Sequence, residues 1–153
     1  MVPRNDSGYI LDLLDRAGEL EVLDRVHLVP YVPVEEIVPF LATADIGVHP
    51  PHHWPNHEIS LGTKFFEYSH ARLPIVVSDV KSMSEMVLET GQGEVFVAED
   101  LKDYIRAIKA VLADPQHYRS AYETTDVLED WTWESQADIL DRVYSELKPG
   151  ASQ

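Results

Sequence analysis

Cysteine is absent from the 153 residues, which excludes disulfides and thiolate zinc sites and suits a reducing compartment. Long apolar runs are missing too. None approaches the roughly 18 residues that a membrane span needs, and the opening MVPRNDSGY lacks the apolar core of a secretory signal. The expected location is the cytoplasm. Basic residues are scarce, with 12 Lys and Arg against 27 Asp and Glu, for a net charge of −15. Phosphate backbones demand a basic footprint, so a nucleic-acid partner is not expected. A small anionic ligand is accommodated only where local cations or backbone N–H groups overcome the repulsive field. Internal repeats, low-complexity stretches and an obvious linker are also lacking.

What is present is a foldable chain. Hydrophobic residues make up 44%, the proportion of a globular domain with a real core rather than a disordered segment. Apolar spacing predicts helices over 7–20, 34–43, 62–71, 82–90, 101–113 and 133–147, with a shorter one after Pro115. Asp100 is placed to cap the 101–113 helix, with Leu101, Tyr104, Ile105, Ile108 and Leu112 as its inward set. The last helix carries Trp133, Ala137, Leu140, Tyr144 and Leu147 on one stripe. Short apolar runs predict strands at 26–29, 46–49, 74–78 and 93–98. Strand and helix alternate, which implies an α/β fold of the Rossmann-like kind, a parallel sheet flanked by helices. Four strands are fewer than the usual five or six, so the sheet is expected to be incomplete at its N-terminal edge. A tail at 149–153 is expected to fray.

In an open parallel sheet, ligands gather at the carboxyl ends of the strands. The longest loop there runs from Pro50 to Leu61 and sits in HPPHHWPNHEISLGTKFFEY, residues 49–68. His49, His52, His53, His57 and Glu58 are metal-ligand types at close spacing. Zinc sites on helices, however, use His at i and i+4, and Pro50, Pro51 and Pro55 oppose a helix through the cluster. Loop histidines without a metal are the expectation, and a metal-binding loop is kept as a third reading.

The downstream half of the stretch is more informative. Ser60, Leu61, Gly62 and Thr63 open a helix directly after the loop, where free N–H groups and the helix dipole favour an anion and Gly62 lets a ligand approach the backbone. Lys64, in the first turn, can place its charge on a phosphate. Glu67 lies three residues on, on the same face, where a carboxylate can accept two ribose hydroxyls. The plain alternative is a surface Lys–Glu pair, common on helices.

SLGTKFFEYSHARLPIVVSDV, residues 60–80, resembles the donor-binding segment of retaining GT-B glycosyltransferases of the family 4 type. The likeness continues in DRVHLVPYVPVEEIVPFLATADIGVHP upstream, and in MSEMVLETGQGEVF and WTWESQADILDRVYSEL downstream, so that it covers nearly the whole chain. The resemblance implies that residues 1–148 form part of a C-terminal nucleotide-sugar-binding domain. It implies transfer of a sugar, hexosyltransferase-like, from a nucleotide diphosphate sugar with retention and without a metal or other cofactor. By the same likeness Glu67 takes the ribose, Leu61, Gly62 and Thr63 face the phosphates with Lys64 nearby, and Val29 and Pro30 lie at the nucleobase. The family's donor-sugar Glu falls on Ile59, with Glu58 adjacent as a weak catalytic candidate. Further family strands, the diphosphate Arg and Lys, and an N-terminal acceptor domain with the catalytic His have no counterpart in the sequence, so the chain is expected to be inactive alone. Self-association through 133–147 is an expected consequence of an apolar stripe too large to cover. The alternative is a non-catalytic nucleotide- or partner-binding α/β module.

Overall fold

The structure is a computed structural model and describes residues 7–124 and 127–147; the tail at 149–153 lies outside them. The chain divides into two compact units, Met1–Ile37 and Val38–Gln153.

The first unit holds α1 (Ser7–Glu19), followed by a single 3-10 turn at Leu23–Arg25. The run Val26–Val29, expected to be a strand, is not one. Its side chains are exposed, Leu28 at 61%. A four-residue apolar run becomes a strand only where a neighbour completes its ladder, and among the described residues the sheet has three strands, none of them here.

α2 (Val34–Leu41) holds the boundary between Ile37 and Val38, and in the second unit β1 (Gly47–His49) is followed by two helices, α3 (Pro55–Glu58) and α4 (Thr63–His70), that precede β2 (Ile75–Ser78). Then come α5 (Lys81–Thr90), β3 (Gly93–Phe96), α6 (Leu101–Ala113), α7 (Pro115–Thr124), α8 (Val127–Asp130) and α9 (Trp133–Leu147). The strands run parallel in the order β1-β2-β3. The central strand is buried throughout, and its period-two alternation serves both faces. Ile75 and Val77 pack with Phe65 of α4 and Met83 and Val87 of α5. Val76 packs on the other side with Phe96, Ala107, Val111 and Tyr118.

The inward face of α6 is Tyr104, Ala107, Ile108 and Val111, whereas Leu101, Ile105 and Leu112 are exposed. Spacing of three, one and three residues brings the former set onto a single stripe. Asp100 does cap this helix, accepting from the Lys102 and Asp103 amides at 2.8 and 3.1 Å. Pro55, expected to oppose helix in the histidine loop, instead begins one: it occupies the first turn of α3, where its missing N–H has no intrahelical partner to lose. The α9 stripe is exposed along its length, Trp133 at 87%.

Two glycines allow close packing around β2. A Cβ on Gly47 would sit 2.5 Å from the Tyr68 ring, and one on Gly93 would sit 1.8 Å from the Ile75 carbonyl oxygen. Their lack of a side chain brings α4 onto β1 and β3 onto β2.

Candidate functional site

Three loops leave the carboxyl ends of the sheet: 50–62 after β1, 79–80 after β2 and 97–100 after β3. Parallel neighbours in register bring these loops together, and side chains from all three interlock. His53 Nδ1 lies 2.5 Å from Glu58 Oε1 and its Nε2 lies 2.9 Å from Asp79 Oδ1, both at hydrogen-bond distance. Asp79 Oδ1 also accepts the Ala98 N–H at 2.9 Å. Glu58 Oε2 accepts the Lys81 N–H at 2.8 Å, and the Glu58 carbonyl accepts the Ser82 hydroxyl at 2.7 Å. α5 has no side-chain cap of its own from Val80, so Glu58 serves its N-terminus from another loop, as a carboxylate near the positive end of a helix does. Ser78 Oγ donates to the Pro51 carbonyl at 2.5 Å, and His52 Nδ1 to Glu99 Oε1 at 3.1 Å.

The electrostatics follow these bonds. The Glu58 and Asp79 carboxylates push the His53 ring above its ordinary value. The Lys81 N–H, then His53, holds Glu58 below the usual carboxylate range. Burial pushes Asp79 up, but the Ala98 N–H and His53 outweigh it, and the net direction is down. His49, half-buried at the end of β1, is lowered by burial and then by Lys64 and His57, and so favours the neutral ring.

Three histidines of the loop have hydrogen-bond partners within the protein, His52 with Glu99 among them. His53 is engaged at both ring nitrogens. His57 donates to the His52 carbonyl at 2.8 Å and stacks on Trp54 with ring centroids 5.5 Å apart. Among the described residues, no three His, Asp or Glu side chains are placed to hold a metal ion.

Downstream, burial of Phe65 and Ser69 fixes the orientation of α4. Phe65 enters the core, Tyr68 donates to the Val48 carbonyl at 3.2 Å, and Lys64, exposed, and Glu67, half-buried, are left on a common side. Neither forms an ion pair with the other, so the plain surface pair is not made. Gly62 precedes α4 with no side-chain cap, at φ −67° and ψ 149°, a conformation open to any residue. Its smallness matters for another reason: a Cβ there would lie 2.9 Å from His49 Nε2. The backbone approach expected of a ligand at Gly62 is occupied by the His49 ring. Thr63 is exposed and Leu61 packs under the loop against the Phe65 cluster. Ser60 donates to the Asn56 carbonyl at 2.7 Å. Glu58 has both carboxylate oxygens engaged, while Ile59 is 83% exposed. Val29 and Pro30 lie in the first unit, exposed and outside regular structure.

The sequence pointed to Ser60–Glu67 and passed over the roles of His53 and Asp79. Asp79 had a usable signal, since it is the first residue past a buried strand, where parallel sheets place ligands.

Comparisons with known proteins agree with this architecture. Glycogen synthase of Mycobacterium tuberculosis is 27% identical over 143 residues, covering 92% of this chain and 33% of the relative. Among solved structures, sucrose-phosphate synthase from Thermosynechococcus elongatus superposes with a TM-score of 0.77 at 22% identity, over 96% of this chain and 36% of that one. WaaG, a glycosyltransferase involved in lipopolysaccharide biosynthesis, superposes with a TM-score of 0.61 at 20% identity, over 84% and 34%. The chain therefore spans about a third of the length of the curated relatives it matches, and no described helix is long and apolar enough to cross a membrane. The family described as glycosyl transferases, group 1, matches residues 11–126, and the chain belongs to that family.

Proposed function

We propose that this chain is the donor-binding part of a retaining GT-B glycosyltransferase of the family 4 type, and that it takes a nucleotide diphosphate sugar at the face bearing Lys64 and Glu67. The observation that carries this is their shared side of α4, with Lys64 exposed and Glu67 half-buried, directly after the β1 loop in a chain of the group 1 family. The uncapped first turn of α4 and the Lys64 ammonium supply positive potential for a phosphate in a chain whose overall field is repulsive. Glu67 accepts two ribose hydroxyls. Val29 and Pro30 are assigned to the nucleobase by family likeness. Stabilising charge on the departing diphosphate is the catalytic task of such a wall, and the reading assigns it to Lys64 and backbone N–H groups without a metal. Glu58 contributes by holding the loop. In this reading residues 1–148 are the C-terminal, donor-side domain, and turnover in the cytoplasm requires an acceptor-binding domain in addition.

Glu67→Gln tests this. Gln keeps the volume and one acceptor while removing the charge. Charge-assisted hydrogen bonds contribute ~1.5–3 kcal/mol each, so losing them weakens binding by about tenfold or more. Titration calorimetry with UDP, GDP and ADP measures it. A variant that binds its preferred nucleotide as tightly as the parent makes Glu67 a surface helix residue and ends the assignment.

A further inference from the structure

His53 faces an acceptor at each ring nitrogen: Glu58 Oε1 at 2.5 Å and Asp79 Oδ1 at 2.9 Å. A neutral imidazole has one N–H and one lone pair, and only the imidazolium has two N–H groups. Ionised carboxylates accept and cannot donate. Both partners are held ionised by further donors, Glu58 by the Lys81 amide and Asp79 by the Ala98 amide. The arrangement therefore requires a proton on each nitrogen. Those four contacts join α3, the amino end of α5, and the loops after β2 and β3, and the segment they fasten runs directly into Ser60–Thr63 and α4.

We propose that His53 is a positioning residue, an imidazolium pin that fixes the loop between β1 and α4 for donor binding and releases it on losing a proton. This rests on the donor-site reading above. The charged groups facing the ring are Glu58 of α3 and Asp79 of the loop after β2; the loop after β3 presents the Ala98 amide through Asp79, and its Glu99 is taken by His52. On deprotonation one nitrogen turns a lone pair toward a carboxylate, and one of the two bonds becomes repulsive.

The direction with pH follows. The ring is raised above its ordinary value of 6.5, so the pin is fully formed below that value and is lost as pH rises through the raised one. Glu58 and Asp79 are lowered, so the lower limit comes only where they protonate. The pinned window runs from the lowered carboxylate values up to the raised histidine value.

The test uses the ¹⁵N-labelled 153-residue chain, titrated from about pH 5 to about pH 10, a range spanning the ordinary histidine value. The expected result is that both His53 nitrogens stay protonated through the ordinary value of 6.5 and that one proton is lost only above it. The Lys81 and Ala98 amide signals then shift with the same midpoint as the ring, and UDP-glucose, ADP-glucose or GDP-mannose binding weakens by about threefold or more through that midpoint. These diphosphate diesters do not themselves ionise at the phosphates in that range. His53→Gln keeps one donor but cannot titrate, and its affinity should not change with pH through that midpoint. Asp79→Asn keeps an acceptor for the Ala98 N–H and should move the His53 midpoint down, a second readout if the Gln variant does not fold. A His53 midpoint at or below 6.5, or amides that ignore its titration, overturns the pin. Binding that stays constant through the midpoint overturns its positioning role alone. Absence of nucleotide-sugar binding at every pH overturns the donor reading and the positioning role with it, while coupled titration of the two amides still supports the pin itself.

Discussion

Gly93→Ala should be far more damaging than a one-methyl change suggests. Gly93 pairs with Ile75 across β2 and β3, and an added Cβ would stand 1.8 Å from the Ile75 carbonyl oxygen and 2.7 Å from its carbon. Those are backbone atoms of a fully buried strand, so no side-chain rotation relieves the clash. The strands must part by over an ångström, which breaks the bond from the Ile75 N–H to the Gln92 carbonyl, now 3.0 Å, and strains the ladder beyond it. Overpacking costs ~1–3 kcal/mol, and each buried backbone group left unpaired costs ~1–3 kcal/mol more. The lower unfolded-state entropy of alanine returns only ~0.4–1 kcal/mol. A net loss of ~3 kcal/mol or more is expected, a large share of the ~5–15 kcal/mol of an ordinary domain. Urea unfolding followed by circular dichroism reads it as a midpoint lower by about 1 M or more, using a slope of ~1–3 kcal/mol per M. Gly91→Ala is the control. Gly91 has φ +71° with nothing within 4 Å of an added Cβ, so only the left-handed backbone penalty of ~1–2 kcal/mol applies. Gly93→Ala within about 0.5 kcal/mol of the parent, or milder than Gly91→Ala, would refute the packing argument.

Tyr122→Phe should lose ~1–2 kcal/mol, because the buried hydroxyl donates to the Leu73 carbonyl at 2.6 Å and its removal leaves that acceptor unpaired; a thermal midpoint equal to the parent's would contradict this. Gln92→Met should be neutral or stabilising by up to ~1 kcal/mol. Gln92 is fully buried with its Nε2 unpartnered, and Ser69, its side-chain partner at 3.3 Å, also donates to the Phe65 carbonyl at 2.8 Å; a urea midpoint clearly below the parent's would show that the amide makes a bond worth keeping.

Much of the fold is legible in the sequence because single elements carry their own signals. IVVS is apolar enough to announce a strand buried on both faces, and Asp100 followed by a helical stripe announces a capped helix. The misreading of Val26–Val29 has a physical cause. Its composition is that of a strand, but a strand is a relation between two segments, and no periodicity in one segment reveals whether a partner lies beside it. The α6 error is of another kind. Large residues at 101, 105 and 112 outweighed Ala107 by size, yet close approach of a helix to a sheet favours the small residue at the contact.

The candidate site divides along the same line. Lys64 and Glu67 are three residues apart on one helix, so local spacing suffices to place them together. His53, Glu58, Asp79 and the Ala98 amide are separated by up to 45 positions and meet only because β1, β2 and β3 are parallel, in register and end at one level. The histidine richness of 49–57 was visible, but it pointed equally to metal binding, since a histidine count does not say what faces the ring nitrogens. A metal ligand must offer a lone pair, and an imidazolium with an acceptor in front of each nitrogen, as proposed for His53, has none to offer. Gly62 shows the same limit. From sequence its missing side chain invites a ligand, while the folded chain fills that space with His49 from the preceding strand. An anion approaching α4 therefore meets a ring that burial keeps neutral. Lys64 supplies the nearby formal positive charge, and protonation of His49, whose value is lowered by burial, would add a second one only below the ordinary histidine value.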